Sequence, residues 1–159
     1  MPAAPTPAIA ALLRGKVAHT LHPYHHDPNT SAFGDEVVQA LSLDPDRVFK
    51  TLVAAVDGNL VVGIVPVSGQ LNLKALAAAV GGKKAQMARV TDAERSSGYV
   101  AGGISPLGQR KQLPTVLDET AELFPTIMVS AGKRGLQVEL APGDLITLCS
   151  ATVADIASD

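Results

Sequence analysis

The hydrophobic positions along the chain change period several times, and each change marks an element. Thr6-Pro7 is an N-cap followed by a first-turn proline, and Ile9, Leu12 and Leu13 then form a helical stripe that Gly15 ends. Residues 17–26 read as extended and lead into Asp27-Pro28-Asn29, a turn sequence. A second helix carries Val37, Val38 and Leu41, with Gly34-Asp35-Glu36 in its first turn, where acidic side chains suit the positive end of the dipole. Asp44-Pro45 marks a further turn. Residues 48–56 and 60–67 are apolar, β-rich runs flanking Asp57-Gly58-Asn59, a spacing that predicts an antiparallel hairpin.

The second half is read the same way. Asn72 caps an alanine-rich helix over 73–80 that Gly81-Gly82 closes, a strand follows over 85–88, and Asp92 opens a short helix ending at Gly98. Residues 115–117, 126–130 and 136–140 read as strands, with a helical turn over 119–124. There is no internal repeat, no low-complexity tract and no regular βαβ period. The expectation is therefore a mixed α/β fold: one domain spanning 1–159, with a mostly antiparallel sheet or open barrel and flanking helices.

Composition narrows the core. Hydrophobic residues make up 47% of the chain but aromatics only 3%, and Trp is absent, so the interior is built from Val, Leu, Ile and Ala. A formal net charge of −2 argues against a broad duplex-DNA surface and limits any nucleic-acid contact to small local patches. The single cysteine, Cys149, excludes an internal disulfide and a Cys-based zinc site and suits a reducing compartment. No signal peptide and no membrane span is recognised, so the expected location is the cytoplasm.

Candidate chemistry gathers at two places. Lys50 interrupts the apolar run 48–56, on the same face by alternation as Val48, Leu52 and Ala54. A buried ammonium without a partner costs several kcal/mol, so this lysine either snorkels from a sheet edge or faces a polar pocket. Between Gly98 and Lys111, four glycines and Pro106 form a loop whose backbone can come close to a ligand oxygen, although ordinary strand-to-strand punctuation reads the same way. Gly103 and Gly108 imitate the spacing of a P-loop, but Gln109-Arg110 stands where that motif needs Lys-Ser/Thr.

Other residues invite chemistry less well. His19, His22, His25 and His26 crowd together without the spacing of a metal site, so no metal or cofactor is expected. Ser105 and Ser130 have no identifiable base, and Cys149 sits in the apolar run Leu145-Ile146-Thr147-Leu148-Cys149, which suits a structural thiol. No hydrolytic triad assembles. The pairs Lys83-Lys84, Arg110-Lys111 and Lys133-Arg134 are small basic clusters of the kind that more often form plain solvated surface, and contact with a nucleic-acid end is the lesser reading.

The glycine loop, together with Phe33-Gly34-Asp35-Glu36-Val37-Val38, Val48-Phe49-Lys50-Thr51-Leu52 and Val129-Ser130-Ala131-Gly132-Lys133-Arg134-Gly135-Leu136, resembles the YbaK/EbsC family. Those proteins are free-standing cysteinyl-tRNA(Pro) deacylases akin to the editing domain inserted in some prolyl-tRNA synthetases, and the likeness runs from about Thr6 to Ile156. The resemblance implies trans-editing of Cys-tRNA(Pro), with Lys50 as the principal functional residue and the backbone of Gly102 and Gly103 as oxyanion donors. It also implies an aminoacyl pocket lined by Tyr24, Phe33, Thr51, Ile104, Ser105, Pro106, Ser130 and Gln137. In the mechanism it implies, the substrate's own thiol attacks the ester, which agrees with the missing triad. The implied partner is the 3′ end of aminoacylated tRNA(Pro), with a prolyl-tRNA synthetase as a further one. Gln137 departs from the pattern, because the family commonly has Asp there, and it leaves amino-acid preference open. The alternatives are a deacylase for Ala-tRNA(Pro) or another aminoacyl-tRNA, and a non-catalytic module binding tRNA ends or nucleotides.

Overall fold

The computed structural model describes residues 5–159, so the first four residues of the expected unit lie outside the described residues. In chain order the elements are α1 (Pro7–Arg14), β1 (Thr20–Pro23), α2 (Phe33–Leu41), β2 (Phe49–Val56), β3 (Asn59–Pro66), β4 (Gln70–Leu71), α3 (Leu73–Ala79) and β5 (Ala85–Met87). There follow α4 (Val90–Ser97), β6 (Thr115–Asp118), a 3-10 helix (Glu119–Leu123), β7 (Ile127–Lys133), β8 (Leu136–Leu140), α5 (Pro142–Cys149), β9 (Thr152–Ala154) and β10 (Ala157–Ser158).

Local chemistry accounts for most of the boundaries. The Thr6 hydroxyl accepts from the Ile9 N–H and caps α1, and Asn72 does the same for α3 through the Ala75 N–H. Asp57 and Gly58 both take positive φ, the type I′ geometry whose twist matches the β2–β3 hairpin. The extended stretch 17–26 pairs over only four residues. Beyond Pro23 the ladder continues through a single bond from the Tyr24 N–H to the Gly135 carbonyl. Helix α5 has no counterpart in the pattern reading. Its apolar run 145–149 shows no clean period, and the sign of a helix is Pro142 at its first turn.

The strands form a five-stranded sheet in the order β5-β2-β3-β6-β9, a three-stranded sheet β1-β8-β7 and the pair β10-β4. All pairings are antiparallel except β3–β6 and β6–β9. The main core is aliphatic, as the composition requires: Leu12, Ile64, Leu117, Val129 and Leu145 are fully buried in it. A second cluster, with Val65, Leu76, Val116 and Ile156, seals α3 against the five-stranded sheet.

Two features hold the sheets in place. Val48 bridges Met128 in parallel, and the Met128 N–H donates to the Arg47 carbonyl, which joins the two larger sheets at the start of β2. The Arg47 guanidinium reinforces the joint by donating to the carbonyl and hydroxyl of Thr126. Glu139 on β8 accepts from the same hydroxyl and pairs with His22 on β1 at 2.9 Å. At the other end, Asp118 is fully buried. One carboxylate oxygen accepts from the Ile156 and Ala157 N–H groups and the other from Thr120, so it staples the C-terminal strand to β6.

Two stability measurements follow. Asp118→Ala leaves buried N–H groups without acceptors and should lower the unfolding free energy by about 2–4 kcal/mol in urea titrations. The bond from Thr126, then that from His22, hold the Glu139 carboxyl below its usual range in spite of partial burial. A depressed folded-state value stabilises above the unfolded pKa of about 4.3 and is lost as pH falls through the folded value. Glu139→Gln should therefore flatten the acid limb of the stability curve below about pH 5 and leave its shape at pH 7–8 unchanged.

Candidate functional site

β5 pairs only with Ala54–Val56, so the first half of β2 is free of a neighbour on that side, and the chain turns toward the three-stranded sheet instead. A cavity of about 360 Å³ opens there, roofed by α2 and by the loop that follows α4. Its walls are mainly apolar, from Phe33, Val37, Val48, Phe49, Leu52, Val67 and Ile104. Lys50, Thr51, Ser130 and Gln137 supply the polar groups. An apolar cleft with a few convergent polar groups is the usual form of a small-ligand site.

The polar groups are poised. Val48, Phe49, Lys50, Thr51 and Leu52 all line the cavity, so alternation does not set Lys50 apart there, and Lys50 is half-buried without an ion pair among the described residues. Ser130 and Gln137 are cross-strand partners in β7 and β8, so their side chains share a face. The Ser130 hydroxyl accepts from the Gly132 N–H inside the bulge of β7. Two buried polar oxygens have no hydrogen-bond partner among the described residues, Thr51 Oγ1 and Gln137 Oε1, and both belong to residues lining the cavity. Buried polar atoms are rarely left so, and a ligand donor would satisfy both.

The glycine loop is a fixed wall. Its C-terminal end is tied back to α4, Arg110 and Lys111 donating their N–H groups to the Ser97 and Ser96 carbonyls. The Tyr99 hydroxyl crosses the loop to the Leu107 carbonyl at 2.6 Å, and burial pushes its pKa up to about 12. Gly102 has φ +85°, and a Cβ there would lie 2.7 Å from the Phe33 ring, so the loop backbone meets the ring directly.

The sequence-derived candidates divide accordingly. Lys50, Thr51, Phe33, Gly102, Ile104, Ser130 and Gln137 all reach the cavity, whereas Gly103, Ser105, Pro106 and Tyr24 do not line it. The Gly103 N–H donates to the Val100 carbonyl and its Cα packs on the Lys133–Arg134 backbone, which corrects its reading as an oxyanion donor. Ser105 is fully buried with its hydroxyl accepting from the Leu107 N–H, and the Pro106 carbonyl accepts from Cys149 Sγ. The Cys149–Pro106 contact holds this half of the loop against α5. Tyr24 packs one layer out, against Val37, Val48 and Met128.

Pattern reading missed Val67, Gly34 and Val37, which reach the cavity from the end of the hairpin and from α2. The signal for the α2 residues was their place beside Phe33. Two of the histidines are engaged by carboxylates in separate pairs: His22 with Glu139, and His26 with Glu36 at 2.7 Å. Burial works against the Glu36 carboxylate, but the bonds from His26 and the Asp27 N–H outweigh it and its pKa is lowered.

The comparisons with known proteins agree with this geometry. Residues 27–148 match the aminoacyl-tRNA editing domain. The chain is 44% identical over 125 residues to the Enterococcus faecalis protein named "Putative Cys-tRNA(Pro)/Cys-tRNA(Cys) deacylase EbsC", covering 77% of this chain and 75% of that one. It is 31% identical over 110 residues to a proline–tRNA ligase of Shouchella clausii, covering 69% of this chain and 19% of the much longer ligase. Among solved structures, one described as "a putative trans-editing enzyme for prolyl tRNA synthetase" superposes with a TM-score of 0.83 at 23% identity, over 96% of both chains. The hypothetical protein APE2540 superposes with a TM-score of 0.84 at 19% identity, over 96% of this chain and 99% of that one, and both establish the fold. The chain belongs to the aminoacyl-tRNA editing domain family, and its class is that of an aminoacyl-tRNA deacylase.

Cys149 offers a direct check on the nucleophile. Burial pushes its thiol up to about 12, where almost no thiolate forms at neutral pH. Iodoacetamide at pH 8 should leave the folded protein unlabelled and label it once in urea, as read by intact mass. Rapid labelling of the native protein would show an exposed, reactive thiol.

Proposed function

We propose that this chain is a trans-editing enzyme that, as one domain, clears cysteine from tRNA(Pro), with the substrate's own thiol as nucleophile. The observation that carries the reading is the pair of unsatisfied buried acceptors, Thr51 Oγ1 and Gln137 Oε1, beside the unpaired Lys50 in one apolar cavity. A substrate α-ammonium supplies the donors those acceptors lack. The Lys50 ammonium, in a partly desolvated site, stabilises negative charge as it develops on the ester carbonyl or leaving oxygen. The Gly102 N–H, which makes no hydrogen bond among the described residues, is the backbone donor to the same oxyanion.

The step needs no protein nucleophile. The cysteinyl sulfur bonds to its own carbonyl carbon, the carbon–oxygen ester bond breaks, and the proton lost by the thiol ends on the ribose oxygen, releasing tRNA and a thiolactone. Intramolecular attack gains up to about 7–11 kcal/mol of effective concentration over a bulk reagent. A synthetase pocket rejects near-isosteres weakly, and a second sieve of this kind supplies the missing discrimination. The resemblance to the prolyl-tRNA synthetase editing domain favours tRNA(Pro) as the carrier and that synthetase as the partner handing it over.

The test is a panel of cysteinyl-, seryl- and alanyl-tRNA(Pro) at equal enzyme concentration, with the product analysed for thiolactone. Cysteinyl-tRNA(Pro) should be cleared far faster than the other two, and Lys50→Ala should lose about 100-fold or more in rate with its melting temperature within a few degrees. Equal rates on all three would identify water as the attacking group. Preference for alanyl-tRNA(Pro) would instead assign the site to alanine, consistent with a neutral Gln137 in place of a carboxylate.

A further inference from the structure

Two charged side chains reach the loop wall of the cavity from different elements and meet on one residue. Glu94, on α4, accepts from the Ala101 N–H at 2.9 Å. Arg134, in the turn between β7 and β8, donates through Nε to the Ala101 carbonyl at 2.8 Å. The guanidinium also lies against Phe33, with Cζ 4.8 Å from the ring centroid, and the same ring packs close to the Gly102 backbone and to the His26 ring.

The Ala101 carbonyl and the Gly102 N–H belong to one peptide plane. In a trans unit the two dipole ends point in opposite directions, so a bond that fixes the carbonyl also fixes the direction of the N–H. The bond is charge-assisted. It draws electron density toward the carbonyl oxygen and makes the N–H at the far end a stronger donor. Since the Gly103 N–H is spent on Val100, the Gly102 N–H is the free donor of this turn.

We propose that Arg134 and Glu94 are positioning residues for deacylation: Arg134 orients and polarises the Gly102 N–H as the oxyanion donor, and Glu94 locks the peptide before it. The inference rests on the functional reading above and deepens it. Arg134 is exposed, and an exposed arginine in a protein that handles tRNA has an obvious competing use as a phosphate contact. The two roles separate kinetically. A phosphate contact acts on KM and is sensitive to salt. An oriented oxyanion donor acts on kcat and is indifferent to whether the substrate carries phosphate.

The experiment compares 3′-O-cysteinyl adenosine, which has the ester and no phosphate, with cysteinyl-tRNA(Pro). Arg134→Gln should lower kcat about 30-fold on both substrates with little change in KM. Glu94→Ala should fall in the same direction, and Glu94→Gln, which keeps an acceptor oxygen, should recover most of the rate. Arg89→Gln, which removes another exposed arginine bonded only to Asp92, should leave both constants unchanged. A loss confined to the tRNA substrate, carried by KM and deepening with salt, would overturn the proposal in favour of a phosphate contact. A second readout needs no turnover: the Gly102 amide resonance should shift in Arg134→Gln, with other loop amides unmoved. An unmoved Gly102 amide would overturn the proposal even if activity fell. A wild-type protein inert toward every charged tRNA would overturn the functional reading, and the clamp would then be judged by the amide alone.

Discussion

The site depends on a joint between two sheets. At Val48 and Met128 the five-stranded and three-stranded sheets touch through a short parallel bridge, and Arg47 stitches the joint from the side through Thr126. Just past it the two sheets diverge, since β2 turns to pair with β3 and β5 while β7 stays with β8. The space between them is the cavity. The joint therefore sets the distance between Lys50 on one wall and Ser130 and Gln137 on the other, and loosening it would alter both walls together.

Within that space, rigidity and vacancy are divided among the parts. The glycine-rich wall is tied to α4, crossed by the Tyr99–Leu107 bond and backed by the Cys149–Pro106 contact. The two strand walls each keep a buried polar oxygen unsatisfied among the described residues, Thr51 Oγ1 on β2 and Gln137 Oε1 on β8. Donors held in place by the fold pay no reorganisation cost when charge develops, while unfilled acceptors favour a ligand bearing an ammonium group. On the proposed mechanism, a protein built this way supplies shape and electrostatics, and the substrate brings its own reactive atom.

Elements governed by neighbours in sequence could be read before the structure. Thr6, Asn72 and Asp57-Gly58 each act within three or four residues, and α1, α3 and the hairpin follow from them. Lys50 could be singled out because an ammonium in an apolar run has few excuses, although residues of both phases of the strand, Phe49 and Thr51 included, line the cavity beside it. The loop misled because glycine and proline advertise freedom of the backbone without saying where it is spent. At Gly103, Ser105 and Pro106 it is spent on internal hydrogen bonds and on packing against α5, a helix whose apolar run hid its period. The contribution of Val67 to the cavity is long-range and carries no local mark. The Arg134–Ala101 bond spans 33 residues and was equally invisible.

The nearly aromatic-free core gives this protein an optical property. With no tryptophan, its near-ultraviolet emission comes from two tyrosines in unlike surroundings. Tyr99 is sealed inside the glycine loop by its bond to Leu107, so its signal changes when the loop opens or the domain unfolds. Tyr24 is half-buried in the cluster of Val37, Val48 and Val67, one layer behind the cavity wall. The fold thus carries one chromophore inside the loop and one behind the cavity.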